Sequence, residues 1–127
     1  MSATTGFGLK AIGQIAIIVH DLEKAVAFYR DALGMQYLFQ APNLAFFNCG
    51  GIRIMLGPPE TPEFDHPGSI IYFKVDDINA AFATLSGRGV HFRDKPHLIA
   101  KLPDHELRMT FFEDLDKNIL ALMSEVR

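Results

Sequence analysis

The sequence predicts an α+β protein made of two βαβββ modules that together form a cupped, mixed sheet. Three features carry that prediction. The order strand, capped helix, three strands is written twice; the first strand and helix of the two copies align at a fixed offset; and a proline-rich stretch separates them. The chain has 127 residues and a mass of 14.2 kDa, which suits one domain, residues 1–127, with a shared core. Within it, module 1 runs over about residues 13–57, the linker over about 58–67 and module 2 over about 68–124.

Each element has a local cause. Ile15 to Val19 is a short β-branched run and reads as a buried strand. Asp21 offers an N-cap, and Leu22, Ala25, Val26, Tyr29, Ala32 and Leu33 form a helical stripe behind it. Gly34 supplies the left-handed stop. Strands follow over Met35–Gln40, Leu44–Asn48 and Ile52–Leu56, with Pro42-Asn43 and Gly50-Gly51 as turns. From Gly57 to Gly68 the chain carries Pro58, Pro59, Pro62 and Pro67 and almost no aliphatic residue, the composition of a linker. Then the pattern restarts. Ile70–Val75 reads as a strand, Asp77 caps a helix with Ile78, Ala81, Phe82 and Leu85 on one stripe, and Gly87 and Gly89 end it. Strands follow near Val90–Arg93, with or without an extension past Pro96, then at Leu107–Phe112 and Ile119–Met123.

The repeat is explicit at an offset of 56 residues. Ile15 meets Ile71, Val19 meets Val75, Asp21 meets Asp77, Leu22 meets Ile78 and Ala25 meets Ala81. Further on, Phe46-Phe47 resembles Phe111-Phe112, and Ile54-Met55-Leu56 resembles Leu120-Ala121-Leu122. Strand, cap, stripe and stop agree in order, which points to an internal duplication.

Composition narrows the function. The chain is 49% hydrophobic and 21% charged, too apolar for a disordered protein. A net charge of −3 and a pI near 5.9 remove the electrostatic footprint of a nucleic-acid binder. No apolar run approaches the roughly 18–20 residues of a membrane span, and Met1 to Lys10 lacks the pattern of a signal peptide. The single cysteine, Cys49, excludes an internal disulfide and a Cys-rich zinc site, and fits a reducing, cytoplasmic setting.

Strand alternation divides the side chains into two faces. Ile15, Ile17, Val19, Ile52, Ile54, Leu56, Ile71, Phe73, Val75, Leu120 and Leu122 give uniformly apolar faces for the helices. The opposite faces carry Gln14, Ala16 and Ile18; Arg53 and Met55; Ile70, Tyr72 and Lys74; and Ile119, Ala121 and Met123. That mixture suits a curved sheet enclosing a ligand. The expected binding set is Gln14, Arg53, Tyr72 and Lys74 above a floor of Met55, Ile70 and Ala121. The competing reading leaves Arg53 and Lys74 as solvated cations.

At this point the chain resembles the vicinal oxygen chelate superfamily, the group of glyoxalase I, bleomycin-resistance proteins and extradiol dioxygenases. The residues are Gln14-Ile15-Ala16-Ile17-Ile18-Val19-His20-Asp21-Leu22, then Ala25, Phe28-Tyr29 and Leu33-Gly34. The segment Phe111-Phe112-Glu113-Asp114-Leu115-Asp116-Lys117-Asn118 is similar to that family's F-x-DPxGN ending, with Leu115 and Lys117 where Pro and Gly usually stand. A left-handed Lys117 would cost about 1–2 kcal/mol. The resemblance implies a cup of two modules, often in a homodimer, and a divalent metal on four strands. It places the metal ligands at Gln14, Met55, Ile70 and Ala121. A carboxamide oxygen can bind a metal; a thioether, a sec-butyl chain and a methyl offer a hard divalent ion nothing useful. About three protein ligands are needed. The expectation is therefore no metal and no other cofactor at these positions.

Other motifs are few. His105-Glu106 does not continue to HExxH, and no GxSxG elbow, P-loop or dinucleotide glycine fingerprint appears. His97, Lys101, His105 and Arg108 make a second candidate set, a rim of cations suited to an acidic small molecule or else a polar surface loop. Two functions follow. One is a metal-free binder of a small organic, anionic ligand, of the bleomycin-resistance kind. The other is a metal-dependent enzyme of the glyoxalase, epimerase or dioxygenase kind that uses other ligands, such as Gln14 with His97, His105 or Glu113. A homodimer is expected in either case, because a small cupped sheet has edges to protect.

Overall fold

The computed structural model describes residues 6–127. Part of the leader reading over Met1–Lys10 lies outside the described residues. Module 1 contains β1 (Gln14–Ile18), α1 (Leu22–Ala27), β2 (Gln36–Ala41), β3 (Leu44–Cys49) and β4 (Ile52–Gly57). Asp21 caps α1 by accepting a hydrogen bond from Lys24 N at 3.1 Å. The helix then widens into a π-helical turn over Phe28–Ala32, and Gly34 closes it at φ 71°. The linker holds one 3₁₀ turn, Pro62–Phe64. Module 2 contains β5 (Ile71–Lys74), α2 (Ile78–Gly87), β6 (His91–Phe92), β7 (His97–Lys101), β8 (Glu106–Glu113) and β9 (Ile119–Val126). Asp77 repeats the cap, accepting from Ala80 N at 3.0 Å.

The strand order is β1-β4-β3-β2 in the first sheet and β5-β9-β8 followed by β6 and β7 in the second. In each sheet the first strand runs parallel to the last one of its module, and the remaining pairs are antiparallel. The two sheets are thus the same unit twice, an α+β architecture as expected. They remain separate sheets: among the described residues no strand ladder joins them.

The two short strands β6 and β7 both lie against β8, one at each end. Asp94 occupies the break. Its carboxylate accepts from Thr110 Oγ1 at 2.7 Å and from Phe111 N at 2.9 Å, and so completes the edge that the backbone leaves open. This settles the sequence alternative near Pro96: the strand is interrupted and then resumed.

One core spans both modules. Val19, Tyr29, Phe47, Ile54, Leu56, Phe112, Leu120 and Leu122 are buried in it, and all the residues expected on the helix-facing side belong to it or pack on it. Burying such side chains contributes roughly 1.5–3 kcal/mol each before entropy is counted. The modules are also tied by polar contacts. Tyr29 donates its hydroxyl to Asp114 Oδ2 at 2.8 Å. Asn118 donates to Ile18 O at 2.9 Å, and Arg88 to Ala32 O at 3.1 Å. Asp114, buried at the end of β8, also accepts from the backbone N–H of Asp116 and Asn118 and from the Asn118 amide, which shapes the turn that puts Lys117 at φ 64°. Among the described residues no helix is long and apolar enough to cross a membrane.

Candidate functional site

The strand register fixes which side chains share the face away from the helices. On the first sheet Gln14 stands opposite Arg53, Met55 opposite Phe46, Arg53 opposite Asn48 and Phe46 opposite Phe39. These residues form a connected surface. Arg53 Nε donates to Gln14 Oε1 at 2.9 Å, and the Gln14 amide points to Met55 Sδ at 3.5 Å. The Arg53 guanidinium lies 5.5 Å above the Phe46 ring, which stacks on Phe39 at 4.7 Å. Asn48 donates to Gln36 at 3.0 Å beside them. Among the described residues Arg53 has no carboxylate partner.

On the second sheet Tyr72 stands opposite Ala121, and Ala121 opposite Phe111. The Tyr72 and Phe111 rings meet edge to face at 5.9 Å over the fully buried Ala121 methyl. Lys74 is exposed and lies 3.6 Å from Glu125 on β9, so its charge is already answered. Between the sheets lies a cleft of about 890 Å³. Ala16, Ile18 and Met55 line it from one side, Ile70 and Ile119 from the other, and Phe64 and His66 of the linker wall it off, with Glu60 nearby.

The structure therefore brings Gln14, Arg53 and Met55 together, and Met55 with Ile70 across the cleft. Tyr72, Lys74 and Ala121 form their own group on the other sheet, and no hydrogen bond or ion pair links that group to Gln14 or Arg53. The second candidate set is dispersed. The register puts His97 on the face shared with Met109, and Lys101 and Arg108 on the opposite one, both beside Glu106 at 4.0 and 3.4 Å. His105 in the β7–β8 turn contacts Asp104 at 2.7 Å, and His97 lies 3.8 Å from Asp94. Each of the four has a carboxylate within reach.

The family's metal positions can be tested on donor chemistry. Of Gln14, Met55, Ile70 and Ala121, one offers a hard donor, and that oxygen faces a guanidinium at 2.9 Å. The residues present do not fit a divalent ion there. Elsewhere among the described residues, no group of three or more His, Cys, Asp or Glu side chains is arranged to hold a metal ion. His97, His105 and Glu113 sit in three separate ion pairs.

Sequence reasoning missed Phe39, Phe46 and Phe111. For Phe46 and Phe111 the signal was present, since each alternates with a core phenylalanine. Phe39 was hidden by a β-bulge after Tyr37, which places two residues of like parity on opposite faces. His20 stands between β1 and the Asp21 cap. It is exposed, yet its ring nitrogens lie 2.8 Å from Asp116 and 2.9 Å from Asp65 of the linker. Those two carboxylates hold its pKa above the ordinary value of 6.5, the Asp65 hydrogen bond foremost.

The two halves are βαβββ units with open, aromatic-bearing sheet faces and a cleft between them. The chain belongs to the Glyoxalase/Bleomycin resistance protein/Dioxygenase superfamily, whose sequence model matches residues 11–122. It is similar to the metallothiol transferase FosB of Staphylococcus haemolyticus, 40% identical over 127 residues that cover 90% of this chain and 83% of that one. A superfamily member from Sphaerobacter thermophilus has the same fold, with a TM-score of 0.75, 31% identity and coverage of 92% and 98%. TnmS3, an antibiotic binding protein from Streptomyces, superposes with a TM-score of 0.73 at 25% identity over 94% of this chain and 98% of that one.

Proposed function

We propose that the protein binds a small organic anion with an aromatic or aliphatic body, without a metal, on the open face around Arg53 and in the adjoining cleft. The observation that carries the reading is Arg53 itself. It is a cation without a carboxylate partner, held in place by Gln14 and set over the Phe46–Phe39 stack. A guanidinium braced in this way can take a carboxylate bidentately while the apolar body covers the rings and Met55. Similarity to an antibiotic binding protein supports a binding role. Tyr72 adds a hydroxyl and a ring on the second sheet, above Ala121, and Lys74 would join only by leaving Glu125. The protein acts in the cytoplasm, where a lone thiol stays reduced. It works as a homodimer, a reading supported by large apolar side chains left exposed away from that face, among them Leu98 and Ile99.

The test is a thermal-shift screen of small aromatic and aliphatic acids on wild type, Arg53→Ala and Tyr72→Phe. Acids that stabilise wild type should lose most of their effect on Arg53→Ala. Equal stabilisation of both proteins refutes the site. Light scattering at micromolar concentration reports the dimer.

A second reading, a metal-dependent transferase or lyase, is favoured by the identity to FosB. Metal analysis of untagged protein separates the two. Stoichiometric zinc, nickel or iron lost on Gln14→Ala would overturn the metal-free reading.

A further inference from the structure

The internal repeat is not symmetric in how its halves meet. At the α1 end, Phe28 and Tyr29 fill the space against the β8–β9 turn; both are buried, and Tyr29 is anchored on Asp114. The offset of 56 puts Thr84 and Leu85 where Phe28 and Tyr29 stand, and the match of Phe46-Phe47 with Phe111-Phe112, 65 residues apart, puts Cys49 where Asp114 stands. The strand register agrees, because Phe47 faces Ile54 as Phe112 faces Leu120. At the α2 end the larger ring, its hydroxyl and its carboxylate anchor are therefore all replaced by smaller groups. The result is a cavity of about 520 Å³ between α2 and the ends of β2 and β3, lined by Ala81, Leu85, Cys49, Phe73, Phe112 and Leu122 among others.

We infer that this cavity is a second binding site, distinct from the open sheet faces, for an uncharged apolar molecule about the size of one to three aromatic rings. The volume lies in the range of small-molecule sites, roughly 300–1,000 Å³. No lining residue carries a formal charge, so nothing there repays the desolvation of an ion. Two polar side chains at its margin partner each other: Asn48 donates to Gln36 at 3.0 Å and accepts from Gly51 N at 3.2 Å. Burial pushes the Cys49 thiol up from its ordinary value, in keeping with a surrounding that disfavours charge. The aromatic walls Phe73 and Phe112 belong to the helix-facing side of the second sheet, so the site and the Arg53 face meet only at the Asn48–Gln36 pair on the cavity margin.

The probe is N-phenyl-1-naphthylamine, a neutral amine whose fluorescence rises in apolar surroundings. Saturable binding at one site per chain is expected for wild type. Ala81→Phe projects a ring into the cavity, and Leu85→Tyr restores the residue of the other half. Each should weaken the probe by about tenfold or more. Arg53→Ala and Tyr72→Ala should leave its affinity within about twofold. Probe binding should also slow alkylation of Cys49 by N-ethylmaleimide in wild type. If Ala81→Phe does not fold, as judged by circular dichroism, Leu85→Tyr carries the test. Absence of saturable binding, or binding lost on Tyr72→Ala and kept in the cavity-filling variants, overturns the inference. The outcome is independent of whether acids bind at Arg53.

Discussion

Removing one hydroxyl, Tyr29→Phe, tests how the two halves of the chain are joined. Tyr29 is fully buried, and its ring packs against Phe28 at 5.6 Å and Phe47 at 6.2 Å. Phenylalanine keeps those contacts, so the apolar burial is nearly unchanged. What disappears is a 2.8 Å hydrogen bond to a buried carboxylate. A hydrogen bond to a charged group contributes about 1.5–3 kcal/mol, and Asp114 loses one of its donors with no water to replace it. For a domain of this size, about 3–5 °C of melting temperature corresponds to each kcal/mol, so a fall of about 5–15 °C is expected. Chemical denaturation gives the free energy, and a double-mutant cycle with Asp114→Asn isolates the pair. The same contact has a pH signature. Burial, with the Asp114 charge behind it, raises the Tyr29 pKa far above the ordinary 10. The stability it contributes is complete below pH 10 and declines above it, as the unfolded chain ionises and the folded one does not. Ultraviolet titration should show a tyrosine that ionises only on unfolding. A loss under about 0.5 kcal/mol for Tyr29→Phe would refute the reasoning, because the bond would then be no better than one to solvent.

Other expectations are simpler. The pKa of His20 is raised by Asp65 and Asp116, so the tether of the linker is complete below pH 6.5 and weakens as pH rises through the folded value; limited proteolysis of residues 58–67 should be faster at alkaline pH, and His20→Gln should abolish the difference. Gly57 is buried, and a Cβ there would lie 2.6 Å from Leu44 Cδ2 and 3.1 Å from Asn43 O. Gly57→Ala should therefore cost about 1–3 kcal/mol in urea denaturation. Lys117 sits at φ 64°, so Lys117→Gly should relieve about 1–2 kcal/mol of strain against a chain-entropy cost of about 0.5–1 kcal/mol; a small net gain in calorimetry is the expected result.

Much of this architecture was legible because the sequence states it twice. Asp21 and Asp77 cap helices at the same point of the repeat, and the alternation in Ile15–Val19 and Ile71–Val75 assigned the core face without help from other elements. The site was less legible for two reasons. Pairing of charges depends on neighbours far along the chain: Lys74 is answered by Glu125, whereas Arg53 meets only the amide of Gln14, and both look alike as strand cations. Faces also change wherever a strand is irregular. The bulge after Tyr37 hid Phe39, and the second bulge, between Leu98 and Ala100, separated His97 from Lys101. The separation of the two sheets depends on how module ends dock, which is decided by Tyr29, Asp114 and Asn118 acting across nearly the whole chain.

The interruption at Asp94 matters for more than the ladder it repairs. The outermost strands of the two sheets, β2 on one and β6–β7 on the other, are each bent or broken, by a bulge at β2 and by Asp94, Pro96 and a further bulge at β6–β7. A bent or broken margin makes a poor template for another chain's strand, because an incoming backbone cannot keep its hydrogen bonds past the irregularity. The inner margins, β1 and β5, are short and regular. Growth of one molecule onto the next through its outer margins, the route to open-ended fibrils, is thus obstructed on both sides.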